Sequence, residues 1–193
     1  MDMELLKKLR QATGAGVNDV SKALAEVGDD YDKALDWLRQ HGQKVAGKKQ
    51  DREIKEGLIE SYIHQGGKTG VLLEVGCETD FVARNDDFKN FVHEVALQIA
   101  ATDPQYVSPA DVPAEVVEKE RAIYAEEVAK ENKPAEIQDK IITGKLEKFY
   151  SQVCLLKQTY IKDDSLTIEK LLNNTIAKVG ENIRISRFTR YSL

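Results

Sequence analysis

The fold is decided by "GLIESYIHQGGKTGVLLEVGCETDFVARNDDF", Gly57 to Phe88. Its first two thirds alternate with a period of two. Ile59, Ser61 and Ile63 fall on one face of an extended chain, and Leu58, Glu60 and Tyr62 on the other. Val71, Leu73, Val75 and Cys77 again share one face. Between the two runs lies "GGKTG", Gly66 to Gly70, a glycine-rich turn, so the spacing predicts an antiparallel hairpin. At Gly76 the alternation stops and a burst of charge begins, with Phe81 in its midst between Asp80 and Val82. The Thr79 hydroxyl can cap a helix start, and Asp80 suits the positive end of the helix dipole. "DFVA" therefore reads as a short helical turn. Asp86 and Asp87 are expected to cap the next helix, about Asp86 to Ala101. Its Phe88, Phe91, Val92, Val95 and Ile99 follow the i, i+3, i+4, i+7, i+11 pattern of one buried stripe. Two orientations of Phe81 follow. It can point inward as a staple, or outward as an anchor for a partner's pocket, worth roughly 1.5–3 kcal/mol of burial.

Upstream, the period is close to 3.6. "MELLKKLRQA" carries Leu5, Leu6 and Leu9 at helical spacing, and "TGAG" (Thr13–Gly16) breaks it. "VNDVSKALAEVG" places Val17, Val20 and Leu24 on one face, with Gly28 as its stop. "DDYDKALDWLRQHG" has Asp29 or Asp30 as cap and Tyr31, Ala34, Leu35 and Leu38 as its stripe. Trp37 lies toward its end and Gly42 closes it. Helices this short must pack on one another to persist. From Gln43 to about Glu56 the composition turns polar and basic, which reads as a linker, open to being partly helical, between two units.

Downstream, Pro104, Pro109 and Pro113 punctuate a loop. A charged helix is expected over about Ala114–Glu131, with Val117, Tyr124 and Val128 inside. A second begins after Lys133 and Pro134, with Ile142, Leu146, Phe149 and Val153 in register. A third begins at Ser165 or Thr167, carries Ile168, Leu171, Leu172 and Ile176, and stops at Gly180. "NIRISRFTRY" closes the chain as a strand. The expected fold class is α+β: a three-helix bundle over residues 1–42, a linker over 43–56, and an α+β core over 57–193. That core is a small three-stranded antiparallel sheet with helices packed on it. Arg184, Arg187 and Arg190 can blunt an exposed edge; association through the sheet is the competing expectation.

The 193 residues are 41% apolar and 32% charged, the composition of a soluble globular protein. No window reaches the length of a membrane span, and "MDMELLKKLRQ" has neither signal-peptide nor transit character. The chain is expected to stay in the compartment where it is made and to bind no membrane. A net charge of −5 argues against a broad nucleic-acid surface. The basic stretches "KVAGKKQDR" and "RISRFTR" read as solvated faces. Cys77 and Cys154 form no CxxC pair, and His41, His64 and His93 share no metal-ligand spacing. Cys77 reads as a small buried hydrophobe. No phosphate-binding loop, GxSxG or HExxH occurs. The pattern favours a binding protein without covalent chemistry, metal or cofactor.

Two stretches carry a family resemblance. "LRQATGAGVNDVSKAL" (Leu9–Leu24) and "CETDFVARND" (Cys77–Asp86) resemble the two signatures of the translation elongation factor Ts family. "ESYIHQGGKTGVLLEV", "PAEVVEKE", "GKLEKF" and "GENIRISRFTR" extend the likeness over essentially the whole chain. The N-terminal helices resemble a ubiquitin-associated-type bundle. The family commonly has two methionines where this chain has Val17 and Asn18, and a lysine at Ser21. The single core subdomain resembles the short forms of cyanobacteria and plastids. In some other short members a homodimer supplies the missing half.

The resemblance implies a guanine-nucleotide exchange factor for elongation factor Tu, binding it GDP-bound and nucleotide-free, in the cytoplasm or a plastid stroma. It implies that Asp80 and Phe81 enter the partner near its magnesium and phosphate site, with Thr79 and Val82 shaping the turn. Leu9, Arg10, Val17 and Asn18 would meet another face of the same partner. The rival from another class is an adaptor, whose bundle takes a ubiquitin-like or chaperone client while the second domain dimerises. An adaptor does not require the second signature.

Overall fold

β1, Glu56–Ile63, and β2, Thr69–Cys77, form the expected hairpin, with Gly57 opposite Gly76 and Ile63 opposite Gly70. The turn closes through the His64 N–H, which donates to the Thr69 carbonyl at 2.8 Å. Gly66 and Gly67 take φ of 90° and 70°, a region that glycine enters without steric cost. β5, Ile183–Ser192, pairs antiparallel along the other side of β2, so the order is β1-β2-β5. Strict alternation fails in β5. Glu74 faces Arg187 while Val75 faces Ile185, leaving Ser186 as the extra residue of a bulge. The bulge switches the inward face, so Ile183 and Ile185 are buried before it and Phe188 packs on the core after it.

The computed structural model describes residues 2–130 and 133–193. On the inner face of the sheet, Val71, Leu73, Val75 and Cys77 meet α5, Asp86–Thr102. Phe88, Val92, Val95 and Ile99 of α5 are fully buried there. Its cap is Asn85 rather than the two aspartates. The Asn85 side chain accepts the Asp87 N–H at 2.7 Å, and Asp86 and Asp87 follow in the first turn. α6, Ala114–Ala129, and α7, Ala135–Val153, pair around Val128, Ile142 and Leu146. Tyr150 packs on that cluster in the place expected of Phe149. Glu131, the expected end of α6, lies outside the described residues. β3, Thr159–Tyr160, and β4, Asp163–Thr167, add a two-stranded ribbon too short for periodicity to show. α8, Ile168–Val179, starts from Thr167, whose hydroxyl accepts the Lys170 N–H, and ends at Gly180. Ser165 lies in β4.

α1, Met3–Thr13, α2, Val17–Val27, and α3, Tyr31–Gly47, enclose Leu6, Leu9, Val20, Ala23, Leu24, Ala34 and Leu38. Asp30 caps α3. Gly42 does not end this helix, and Trp37 sits mid-helix, stacked on His41. α3 continues through Gly42 to Gly47, so the first part of the expected linker is helical. The reason is tertiary. A side chain at Gly42 would come against Ala177 of α8, and Ala46, one turn on, is buried in the main core. Gly42 lies where α3 packs on α8 at an ordinary contact distance, and burial of Ala46 offsets its poor helix propensity.

Phe88 is the largest fully buried side chain, so Phe88→Ala is expected to cost about 3–5 kcal/mol in urea unfolding. A loss under about 1 kcal/mol would contradict the packing described. Burial, with the Glu181 carboxylate adding to it, pushes the Cys77 thiol up to about 11. Burial, then Asp111, does the same for Cys154. Neither thiol should react with a bulky disulfide reagent at pH 8 until denaturant is added. The folded state holds these protons more tightly than the unfolded chain does, whose thiols titrate at 9.0. Their contribution to stability is therefore present below that pH and is lost as the pH climbs through 9.0 toward about 11.

Candidate functional site

Between the end of β2 and the start of α5 the chain makes one turn of helix, α4, Asp80–Arg84. Thr79 is its cap. The Thr79 backbone is extended, and its hydroxyl accepts the Val82 N–H at a long 3.5 Å. Successive residues of a helix point about 100° apart, so Phe81 and Val82 leave the turn in different directions. Val82 faces the core, at 8% exposure within the main cluster. Phe81 is turned out and is 81% exposed. Of the two orientations open in the sequence, the structure has the outward one. Asp80, beside it, is bridged by Arg84 one turn later at 3.0 Å, and its side chain remains 43% exposed. An exposed aromatic beside a carboxylate, on a backbone pinned from behind, is a shape suited to entering a pocket on another macromolecule.

The corner is tied at several points. The Cys77 thiol donates to the Thr79 carbonyl at 3.2 Å. The Glu181 carboxylate accepts both the Thr79 N–H, at 3.0 Å, and the Thr79 hydroxyl, at 2.6 Å. Glu78 accepts the Asn182 N–H at 2.6 Å and lies 3.5 Å from the Arg52 guanidinium. At the far end, Lys178 donates to Asp87 at 2.6 Å.

The other expected contact residues belong to the bundle, and they divide. Arg10, Val17 and Asn18 are exposed. Leu9 is fully buried in the bundle core, so it supports that surface from inside and cannot touch a partner. Thr79 is half-buried and Val82 buried, which makes both of them supports of the corner. The bundle's α1–α2 turn reaches the corner through one side chain. Gly14 ends α1 at φ 67°, and a Cβ there would lie 2.7 Å from the Lys178 methylene stem whose ammonium pairs with Asp87. The "TGAG" turn and the helix that follows the Phe81 corner thus share Lys178. Lys178, Glu181 and Asn182 were not singled out as site residues in the sequence. Their only local signal is "GENI", where Gly180 reads as a helix stop, because their partners lie about a hundred residues away.

The family model for elongation factor Ts matches residues 11–193. Elongation factor Ts of Thermotoga petrophila is 53% identical over 193 residues, covering 100% of this chain and 96% of that protein. The Desulfosudis oleivorans protein of the same name is 51% identical over 189 residues, 98% of this chain and 96% of its own length. That of Citrifermentans bemidjiense is 52% identical over 188 residues, 97% and 87% respectively. The first two are thus nearly as short as this chain. With the family model matching nearly its whole length and relatives more than half identical to it, the chain belongs to the elongation factor Ts family, a family of translation elongation factors.

Proposed function

We propose that this protein is the guanine-nucleotide exchange factor for elongation factor Tu, and that Phe81 is the wedge that releases GDP. The observation that carries this reading is the exposure of Phe81 on a corner whose backbone is held from behind. Exchange is a coupling problem. The factor and the nucleotide each bind elongation factor Tu, and each weakens the other by the same free energy. A ring driven between helices that hold the magnesium ion and the phosphate loop makes the two ligands compete. Asp80 makes polar contacts beside the ring. Arg10, Val17 and Asn18 grip a second face of the partner, and Leu9, buried in the bundle core, keeps α1 packed against α2. No covalent step is involved, and the factor meets its partner in both GDP-bound and nucleotide-free states, in the cytoplasm or plastid stroma.

Burial of one Phe supplies roughly 1.5–3 kcal/mol. That corresponds to about one to two decades of nucleotide affinity. Any greater acceleration comes from the bundle and the sheet domain. Phe81→Ala is expected to slow fluorescent-GDP release from elongation factor Tu by roughly ten- to a hundredfold, with an unchanged circular dichroism melt. Stopped-flow release at the wild-type rate by a folded F81A protein would remove the wedge.

A homodimer is the second part of the proposal, and the outer face of the sheet favours it. Ile59, Ile63, Leu72 and Tyr191 are exposed there on all three strands. Pairing shows that they adjoin: Ile63 faces Gly70, which faces Tyr191, and Leu72 lies one step along the same strand face. A contiguous apolar face of this kind marks an association surface. Sedimentation equilibrium is expected to give twice the chain mass for wild type and a single chain for Leu72→Lys. Monomeric wild type across the micromolar range would remove the dimer and leave the exchange reading intact.

A further inference from the structure

We propose that Glu181 is a positioning residue for exchange, fixing the direction in which the corner presents Phe81. The inference rests on the reading of Phe81 as the wedge. α4 is one turn long, and one turn of helix does not hold itself. Its direction is therefore set by whatever grips its ends. Val82 is anchored in the core. At the other end the capping bond from Thr79 to Val82 is long, at 3.5 Å, so the cap alone leaves the corner loosely defined. The Glu181 carboxylate completes it. One oxygen takes the Thr79 N–H at 3.0 Å and the other its hydroxyl at 2.6 Å, a two-point grip on a single residue. Bonds to a charged acceptor are the stronger kind, and two of them fix rotation as well as distance.

The position of Glu181 supports a tertiary role. It follows directly on Gly180, the residue that ends α8. A carboxylate beside the negative end of a helix dipole is locally unfavourable. A residue that breaks a local rule without a local gain points to a purpose elsewhere in the fold. Here that purpose lies 102 residues away in sequence, at Thr79. The neighbouring residues act alongside it. The Asn182 N–H donates to Glu78, its amide donates to the carbonyls of Gln50 and Arg52, and Lys49 donates to the Gly180 carbonyl. Residues 180–182 therefore hold both the Phe81 corner and the segment that leaves α3. Glu181 is the member of that turn that touches the cap of the Phe81 helix itself.

The test uses the full chain, elongation factor Tu loaded with fluorescent GDP, and four variants: E181A, E181Q, F81A and E181A/F81A. E181A should lower the maximal release rate roughly tenfold, the loss of two charge-assisted bonds. E181Q keeps one acceptor oxygen and should fall only about threefold. The decisive readout is the cycle. If Glu181 acts by aiming Phe81, E181A costs less than about twofold once Phe81 is gone, because interacting residues are non-additive. Full additivity, or a wild-type rate for E181A, overturns the positioning role. A wild-type rate for F81A instead sinks the wedge reading beneath it. If E181A does not fold, the E181Q/F81A cycle takes its place, and an unchanged rate for folded E181Q then assigns Glu181 to folding alone and overturns the proposal.

Discussion

Burial of Val82 is the constraint from which the rest of the site follows. The link between β2 and α5 is only long enough for one helical turn, and one turn has one inward direction. Val82 takes it, joining Cys77, Phe88 and the sheet in the main core. Phe81, about 100° round the same turn, points out of the core and is 81% exposed. Its exposure forfeits the roughly 1.5–3 kcal/mol that burying a large apolar side chain would return within the chain. A fold does not keep such an exposed ring on a tightly tied corner for its own stability. The same reasoning separates the eight residues expected at the interface. Asp80, Phe81, Arg10, Val17 and Asn18 face outward, while Leu9, Val82 and the half-buried Thr79 hold them there.

The bundle and the core meet chiefly where α3 packs along α8. α3 passes from the bundle into the core, close to α8 at Gly42 and buried at Ala46. Gly14 lies against the Lys178 stem, and Lys178 pairs with Asp87 of α5. The stretch after α3 is held by Asn182 and Lys49. Gly42, Gly14, Lys49 and the carbonyls of Gln50 and Arg52 all meet the last turn of α8 or the reversal after it. The two signature stretches, far apart in sequence, are thereby referred to one piece of backbone, which sets how the bundle stands relative to Phe81.

Much of this was legible in the sequence because periodicity reports burial. The hairpin, α5, α8 and the bundle follow from spacing alone, and the Thr79 cap follows from its hydroxyl. What was not legible depended on contacts between distant residues. Gly42 reads as a helix stop locally, but packing of α3 on α8 and burial of Ala46 carry the helix through it. Asp86 and Asp87 read as caps, but Asn85, one residue earlier, carries the extended backbone that a cap requires. The bulge at Ser186 shows in the sequence only as the three-residue step from Ile185 to Phe188, too small a break to set apart from a regular strand. The side of Phe81 was undecided for a similar reason. An aromatic next to a valine fits either way until the core shows which of them it accepts.

Stiffness is what makes the exposed ring useful. A partner's pocket returns roughly 1.5–3 kcal/mol for one buried Phe. Fixing the backbone of a single flexible residue costs about 1–2 kcal/mol, so ordering even two or three residues on binding would cancel that return. The corner from Thr79 to Arg84 is longer than that. An aromatic on a mobile loop of this length would therefore contribute nothing net to displacing a nucleotide. Here the ordering is completed during folding, by Val82 in the core, the two Glu181 bonds to Thr79, the Asn85 cap and the Lys178–Asp87 pair. In the proposed exchange reaction the free energy of the ring is then available in full to oppose the bound nucleotide, which is why residues far from the partner belong to the mechanism as much as Phe81 does.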